Sequence, residues 1–414
     1  MLYQLHELQH ISLLPTRAWA TANMAVFGCP FSPLSYTPMS RMIVAGSDLL
    51  LRATNRYQKP QFELPSTVVD GECVAVVEET VLEKAFCSLL HFARDKNVKQ
   101  PRVLIVAPLS GHYATLLRDT VKSFIHDHDV YITDWHDARM VPLSKGPFSF
   151  DDYVSYVTEF VRLLGPDVHV VSVCQPTVPV LVAISLMAAD DRVGPLTMTL
   201  MGGPIDTRKN PTSVNTFAAD RPLSWFENKI IQTVPANYPG YLRRVCPGFL
   251  QLAGFVSMNA GRHFNAHKDY FYHLVQGDGE SAEAHRKFYD EYNAVMDLPA
   301  EYYLDSVKMV FQEHQLARGT MIALGRLVTP SAITKTALFT IEGELDDISG
   351  SGQTQAAHGL CSGIAPGDHH HLTAEGAGHY GIFSGRRFRE IIYPKIRAFI
   401  GDYARSRRPR VKRG

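Results

Sequence analysis

Val168-His169-Val170-Val171-Ser172-Val173-Cys174-Gln175-Pro176-Thr177-Val178 is the stretch on which the fold turns. Val168 to Val173 is an apolar run of strand length, and Val178 to Ala188 is an apolar segment of helical length. Between them Ser172 to Pro176 leave room only for a sharp turn. An α/β-hydrolase exposes its attacking atom on such a strand-to-helix turn. Here that atom is the Cys174 sulfur, and the expected chemistry is acyl transfer through a thioester.

Strands and helices alternate on both sides of this turn. Val103-Leu104-Ile105-Val106-Ala107 reads as a strand closed by Pro108-Leu109-Ser110-Gly111. Tyr113 to His126 then has helical length, Val130 to Asp134 is strand-like, and Asp151 to Leu164 reads as a helix with two acids at its start. Leu196 to Met201 is a strand ended by Gly202-Gly203-Pro204. The pattern returns at Ala337 to Ile341 and His371-Leu372-Thr373, before a long helix near Arg386 to Tyr403. Such alternation predicts an α/β fold with a mostly parallel sheet, covered on both faces.

Five regions follow. Residues 1–100 are expected to be mainly helical, with Leu2, Leu5 and Leu8 on one face and breaks at Pro30, Pro33, Pro60 and Pro65. Residues 101–205 form the first part of the α/β-hydrolase core, 206–330 an inserted helical cap, 331–404 the second part of the core, and 405–414 a basic tail. The block from Asp206 to Val328 carries 17 of the 42 aromatic residues, so the cap is a candidate wall for an apolar groove.

Bulk properties exclude several classes. Lys+Arg and Asp+Glu are balanced at 41 each, so no overall field attracts nucleic acid. No apolar run is long enough for a transmembrane span, and the first residues do not read as a signal peptide, so a cytoplasmic enzyme is expected. The six cysteines are scattered without a CxxC pair, which argues against a disulfide framework or a zinc site. His369-His370-His371 would alternate faces in a strand and make a poor chelate. No metal and no cofactor are expected.

The chain offers nucleophile, acid and histidine in the order an α/β-hydrolase uses. Cys174 follows its strand, Asp346 lies in Gly343-Glu344-Leu345-Asp346-Asp347, and His379 lies in Gly376-Ala377-Gly378-His379-Tyr380. His379 would take the thiol proton, and Asp346 would fix the imidazole tautomer. Asp347 and Asp206 are the rivals for the acid, with Asp346 favoured. The backbone N–H of Gln175 and that of Leu109, rather than Ser110, would hold the oxyanion.

With those residues in view, the chain resembles the intracellular polyhydroxyalkanoate depolymerases of the poly(3-hydroxybutyrate) type. The similarity spans nearly the whole chain, through Met1-Leu2-Tyr3, Asp134-Trp135, Ser172-Val173-Cys174-Gln175-Pro176, Leu200-Met201-Gly202-Gly203-Pro204-Ile205-Asp206 and Gly378-His379-Tyr380. The resemblance implies a cysteine nucleophile at Cys174 with Asp346 and His379. It implies hydrolysis of amorphous polyester at a storage-granule surface, giving 3-hydroxybutyrate oligomers and monomer, and self-association, most simply as a homodimer. Two alternatives remain: a polyhydroxyalkanoate synthase-like acyltransferase, which resembles Gly-x-Cys-x-Gly where this chain has Ser172 and Pro176, and a non-catalytic granule-binding protein.

Overall fold

A computed structural model describes residues 2–96 and 98–406. Its centre is a nine-stranded sheet. In chain order the strands are β1 (Ser66–Val69), β2 (Glu72–Glu83), β3 (Cys87–Arg94), β4 (Arg102–Val106), β5 (Asp129–Trp135), β6 (Val168–Val173), β7 (Thr197–Met201), β8 (Ala337–Gly343) and β9 (His369–Ala374). Their order across the sheet is β1-β2-β3-β5-β4-β6-β7-β8-β9. The pairs from β5 to β9 are all parallel, and the pairs from β1 to β5 through β3 are antiparallel. This is an α/β-hydrolase fold.

Burial explains the centre of the sheet. All six residues of β6 are buried, as expected of a strand covered on both faces. The helix that follows, Thr177–Ala189, is apolar all round and buries every residue from Thr177 to Met187, which suits a helix with no solvent face. The helix Phe150–Leu164 covers the sheet beside it and opens on a capping box, in which Ser149 and Asp152 satisfy each other's backbone N–H.

The expected helical region over 1–100 needs correction. Three helices are present, α1 (Leu2–Ser12), α2 (Leu14–Gly28) and α3 (Ser40–Ala53), but residues 66–94 are the three antiparallel strands β1 to β3. The turn between β1 and β2 is Asp70-Gly71, with φ of 52° and 84°. An Asp-Gly pair at positive φ is the chemistry of a tight hairpin, and the alternating burial of β1 confirms the period of two.

Between β7 and β8 lies a mainly helical block containing Gly248–Met258, Ala260–Gln276, Gly279–Tyr292 and Ala300–Ser306, with a short three-stranded ribbon. Its aromatics divide. Phe226, Tyr270 and Tyr302 are buried in packing, whereas Phe255, Phe288, Tyr289 and Tyr292 line a cleft beside the sheet. Among the described residues, no helix is long and apolar enough to cross a membrane. Most of the basic tail, residues 407–414, lies outside the described residues.

Buried histidines make the fold acid-sensitive. Desolvation pushes His112 and His128 down to about 4 and His169 to about 3. Their unfolded value is about 6.5, so between these limits the unfolded chain binds more protons than the folded one. The stabilisation is complete above about pH 6.5 and is lost as pH falls toward 4. Asp297, raised to about 7 chiefly by burial and then by Asp137, and His379, held against burial above the usual histidine value by its neighbours, have the opposite sign, but burial also pushes His6, His285 and His358 down to about 4, so six depressed histidines oppose these two groups. Thermal melts should therefore shift down by several degrees or more between about pH 7.5 and pH 5. An unchanged melting temperature would contradict this.

Candidate active site

Cys174 stands at the end of β6 with φ of 68°, in the left-handed region that non-glycine residues rarely occupy. Holding it there costs about 1–3 kcal/mol, and the surroundings impose it. The Cys174 N–H donates to the Met201 carbonyl of β7 at 2.7 Å, while Thr177 N–H donates back to the Cys174 carbonyl at 3.2 Å. Pro176, at φ −67°, is already preset for the helix that begins at Thr177, and its missing N–H is not needed there. The thiol is thus held half-buried on a strained turn at a helix N-terminus.

His379 and Asp346 meet at this turn. His379 Nδ1 lies 2.8 Å from Asp346 Oδ2, and both side chains are buried. The other carboxylate oxygen of Asp346 accepts the N–H groups of Ile348 at 2.9 Å and Ser349 at 2.8 Å, which fixes its plane. With Nδ1 committed to Asp346, Nε2 is the nitrogen left for a reacting partner. Burial pulls the His379 imidazolium down, but the charge of Cys174, the Asp346 carboxylate and hydrogen bonds to both outweigh it and hold His379 well above the usual histidine value. The rivals are engaged elsewhere. Asp347 Oδ2 accepts from Asn259 at 2.8 Å, and Asp206 pairs with Arg208 at 2.7 and 2.9 Å.

The loop after β4 brings the Leu109 N–H to the elbow. Its position follows from Ala107, whose carbonyl accepts from Trp135 Nε1 at 2.8 Å and whose N–H donates to Thr133 Oγ1 at 2.9 Å. Leu109 N–H points at Gln175 Oε1, 3.4 Å away. The Gln175 carboxamide therefore lies where an oxyanion would compete for the same donor. Were the Gln175 and Leu109 N–H groups to hold an oxyanion, the backbone alone would serve, and Gln175→Ala should then retain activity within about tenfold. A loss beyond about a hundredfold would show that the side chain itself is required.

Two positioning features escaped the sequence reading. Glu342, almost fully buried, accepts from the N–H groups of Gly352, Thr354 and Gln355 at 2.7–2.8 Å, and so folds the loop that carries Asp346. Gly202, at φ 56°, lies under the pair: a Cβ there would come within 3.3 Å of His379 Cε1 and 3.4 Å of Asp346 Oδ2. The Gly202-Gly203 dipeptide was the available signal, read only as a turn. Glu342 gave none, because an acid inside a strand announces neither its burial nor its partners.

His379 opens onto a cleft of about 520 Å³ that is also lined by Phe255, Phe288, Tyr292, Tyr380 and Arg262. The aromatic rings alternate with polar groups, Asn259, Arg262, His263 and Asp347, so the cleft is of mixed character. The histidine triplet is occupied otherwise: His369 bonds His358 at 2.8 Å, His371 bonds Thr340 at 2.8 Å, and His370 turns to the opposite face against Phe399. Among the described residues, no group of three or more His, Cys, Asp or Glu is arranged to hold a metal ion.

A family model described as "PHB de-polymerase C-terminus" matches residues 202–404. This chain carries a PHB depolymerase C-terminal domain. The depolymerase domain includes Asp346 and His379, and Cys174 lies before it. The chain is an ester hydrolase. Similar solved structures include a hydrolase from Pseudomonas aeruginosa, at 12% identity and a TM-score of 0.44 over 78% of this chain and 98% of that one. Another is a monoacylglycerol lipase from Paleococcus ferrophilus, also at 12% identity and a TM-score of 0.44, over 73% and 96%. A search of the curated proteins found no significant match.

Proposed function

We propose that this protein is an intracellular depolymerase that hydrolyses amorphous poly(3-hydroxybutyrate) at storage granules, with Cys174 as nucleophile. The observation that supports this reading is a thiol on a strained elbow beside a buried His379–Asp346 pair, in a chain with a PHB depolymerase domain. His379 takes the Cys174 proton, and the thiolate attacks an ester carbonyl. The N–H groups of Gln175 and Leu109 hold the oxyanion. Collapse breaks the ester C–O bond, His379 protonates the departing oxygen, and a shortened chain leaves with a hydroxyl end. Water, deprotonated by His379, then attacks the 3-hydroxyacyl thioester and the C–S bond breaks, restoring the thiol and releasing acid.

A paired assay tests the reading. Purified protein given amorphous polymer should release soluble 3-hydroxy acids, and given 3-hydroxybutyryl-CoA it should build no polymer. Polymer growth from the thioester would favour the synthase alternative. Particle binding without acid release would leave only a binding protein.

A further inference from the structure

We infer that the outer face of the N-terminal helical hairpin, centred on Trp19, Phe31, Tyr36 and Met39, is the surface by which this protein settles on amorphous polyester. The inference rests on the polyester substrate proposed above. Phe31 is 95% exposed, Tyr36 78%, Trp19 62% and Met39 61%. Large apolar side chains this exposed, within one short stretch of chain, point to an interaction site. They sit on α2, on the first turn before α3, and on the Cys29-Pro30-Phe31-Ser32-Pro33 bend between them.

The charge pattern selects the partner. In a chain of which 20% is charged, residues 18–40 contain no charged side chain, and residues 8–47 contain no acid. Several hydroxyls of this segment are turned onto its own backbone. Tyr36 Oη donates to the Pro30 carbonyl at 2.9 Å, Ser35 Oγ to Ser32 at 2.7 Å, Thr37 Oγ1 to Leu34 at 2.8 Å, and Thr21 Oγ1 to Arg17 at 2.9 Å. Charge is thus absent from the stretch itself, whereas a protein partner ordinarily meets charged and hydrogen-bonding groups around such a patch. An uncharged surface without fixed directional groups, such as amorphous polyester, is its complement.

Arg17 of α2 donates to the Leu51 carbonyl of α3 at 3.0 Å and holds the hairpin together, while Arg52 of α3 pairs with Asp290 at 2.6 Å and Tyr3 of α1 donates to Asp297 at 2.7 Å, fastening the N-terminal helices to the body. Helices α1 and α3 also line a cavity of about 1020 Å³, which shares His285 and Tyr289 with the cleft that holds His379.

Cosedimentation with amorphous poly(3-hydroxybutyrate) particles tests the inference, using the wild type and a Trp19→Ser, Phe31→Ser, Tyr36→Ser variant. Particle affinity should fall at least about tenfold, since each exposed aromatic buries apolar area on contact. Hydrolysis of a soluble short-chain ester should stay within about twofold, which also reports that the variant is folded. Phe31→Ser alone, at a turn with no packing to lose, should already weaken binding. Unchanged affinity in both variants would overturn the inference, as would a wild-type dimer that the triple variant converts to monomers, since the face would then belong to a second copy. Wild-type protein that binds particles by this face yet releases no acid would support the inference and refute the depolymerase reading.

Discussion

Replacing Cys174 with alanine is expected to lower ester hydrolysis at least about a thousandfold while leaving the fold intact. The change removes a half-buried sulfur from the elbow and leaves every backbone contact of that turn in place. Of the other five thiols, Cys29 lies on the bend after α2 and Cys73 on β2, neither on a strand end that carries the catalytic pair, and three are buried. Burial pushes the thiols of Cys87 and Cys246 far up, and that of Cys361 up to about 12, so all three stay protonated and inert. Cys174→Ser should also be much weaker than wild type, because a hydroxyl needs stronger assistance from the base than a thiol does. Circular dichroism and a thermal melt close to wild type, together with near-zero turnover, are the expected pair of results.

The second large effect is expected at the acid. Asp346→Asn should reduce kcat by about a hundred- to a thousandfold. An amide can still accept the Ile348 and Ser349 N–H groups with its oxygen, but it then turns an NH₂ toward His379 Nδ1. The imidazole must carry its proton on the other nitrogen, where it can no longer take one from Cys174. Asp347→Asn and Asp206→Asn should stay within about threefold, because their carboxylates bond Asn259 and Arg208 rather than the histidine. A larger loss at either rival than at Asp346 would reassign the acid.

The elbow was legible because three independent signals coincide there: an apolar strand, an apolar helix and too few residues between them for anything but a sharp turn. The order of Asp346 and His379 was legible for a similar reason, since each follows a strand that ends in turn residues. The choice between Asp346 and Asp347 was not. Adjacent residues on a loop point in different directions according to backbone dihedrals, which here are set by the Ile348 and Ser349 N–H groups and by Leu345 N–H donating to the Ala377 carbonyl at 2.9 Å. The strands over 66–94 were missed because leucine spacing near the N-terminus was extended across proline breaks, although Asp70-Gly71 marked a hairpin. The Gln175 side chain near Leu109 N–H was beyond reach, because it depends on how β4 and β6 lie side by side.

The account rests on a covalent bond to one sulfur. Quenching the enzyme during turnover of amorphous polymer or a soluble 3-hydroxybutyrate ester, followed by peptide mass spectrometry, tests it most directly. The peptide containing Cys174 should gain the mass of one or more 3-hydroxyacyl units, removable by hydroxylamine and absent from Cys174→Ala. Full turnover with the acyl group on another residue, or undiminished hydrolysis by Cys174→Ala, would contradict it.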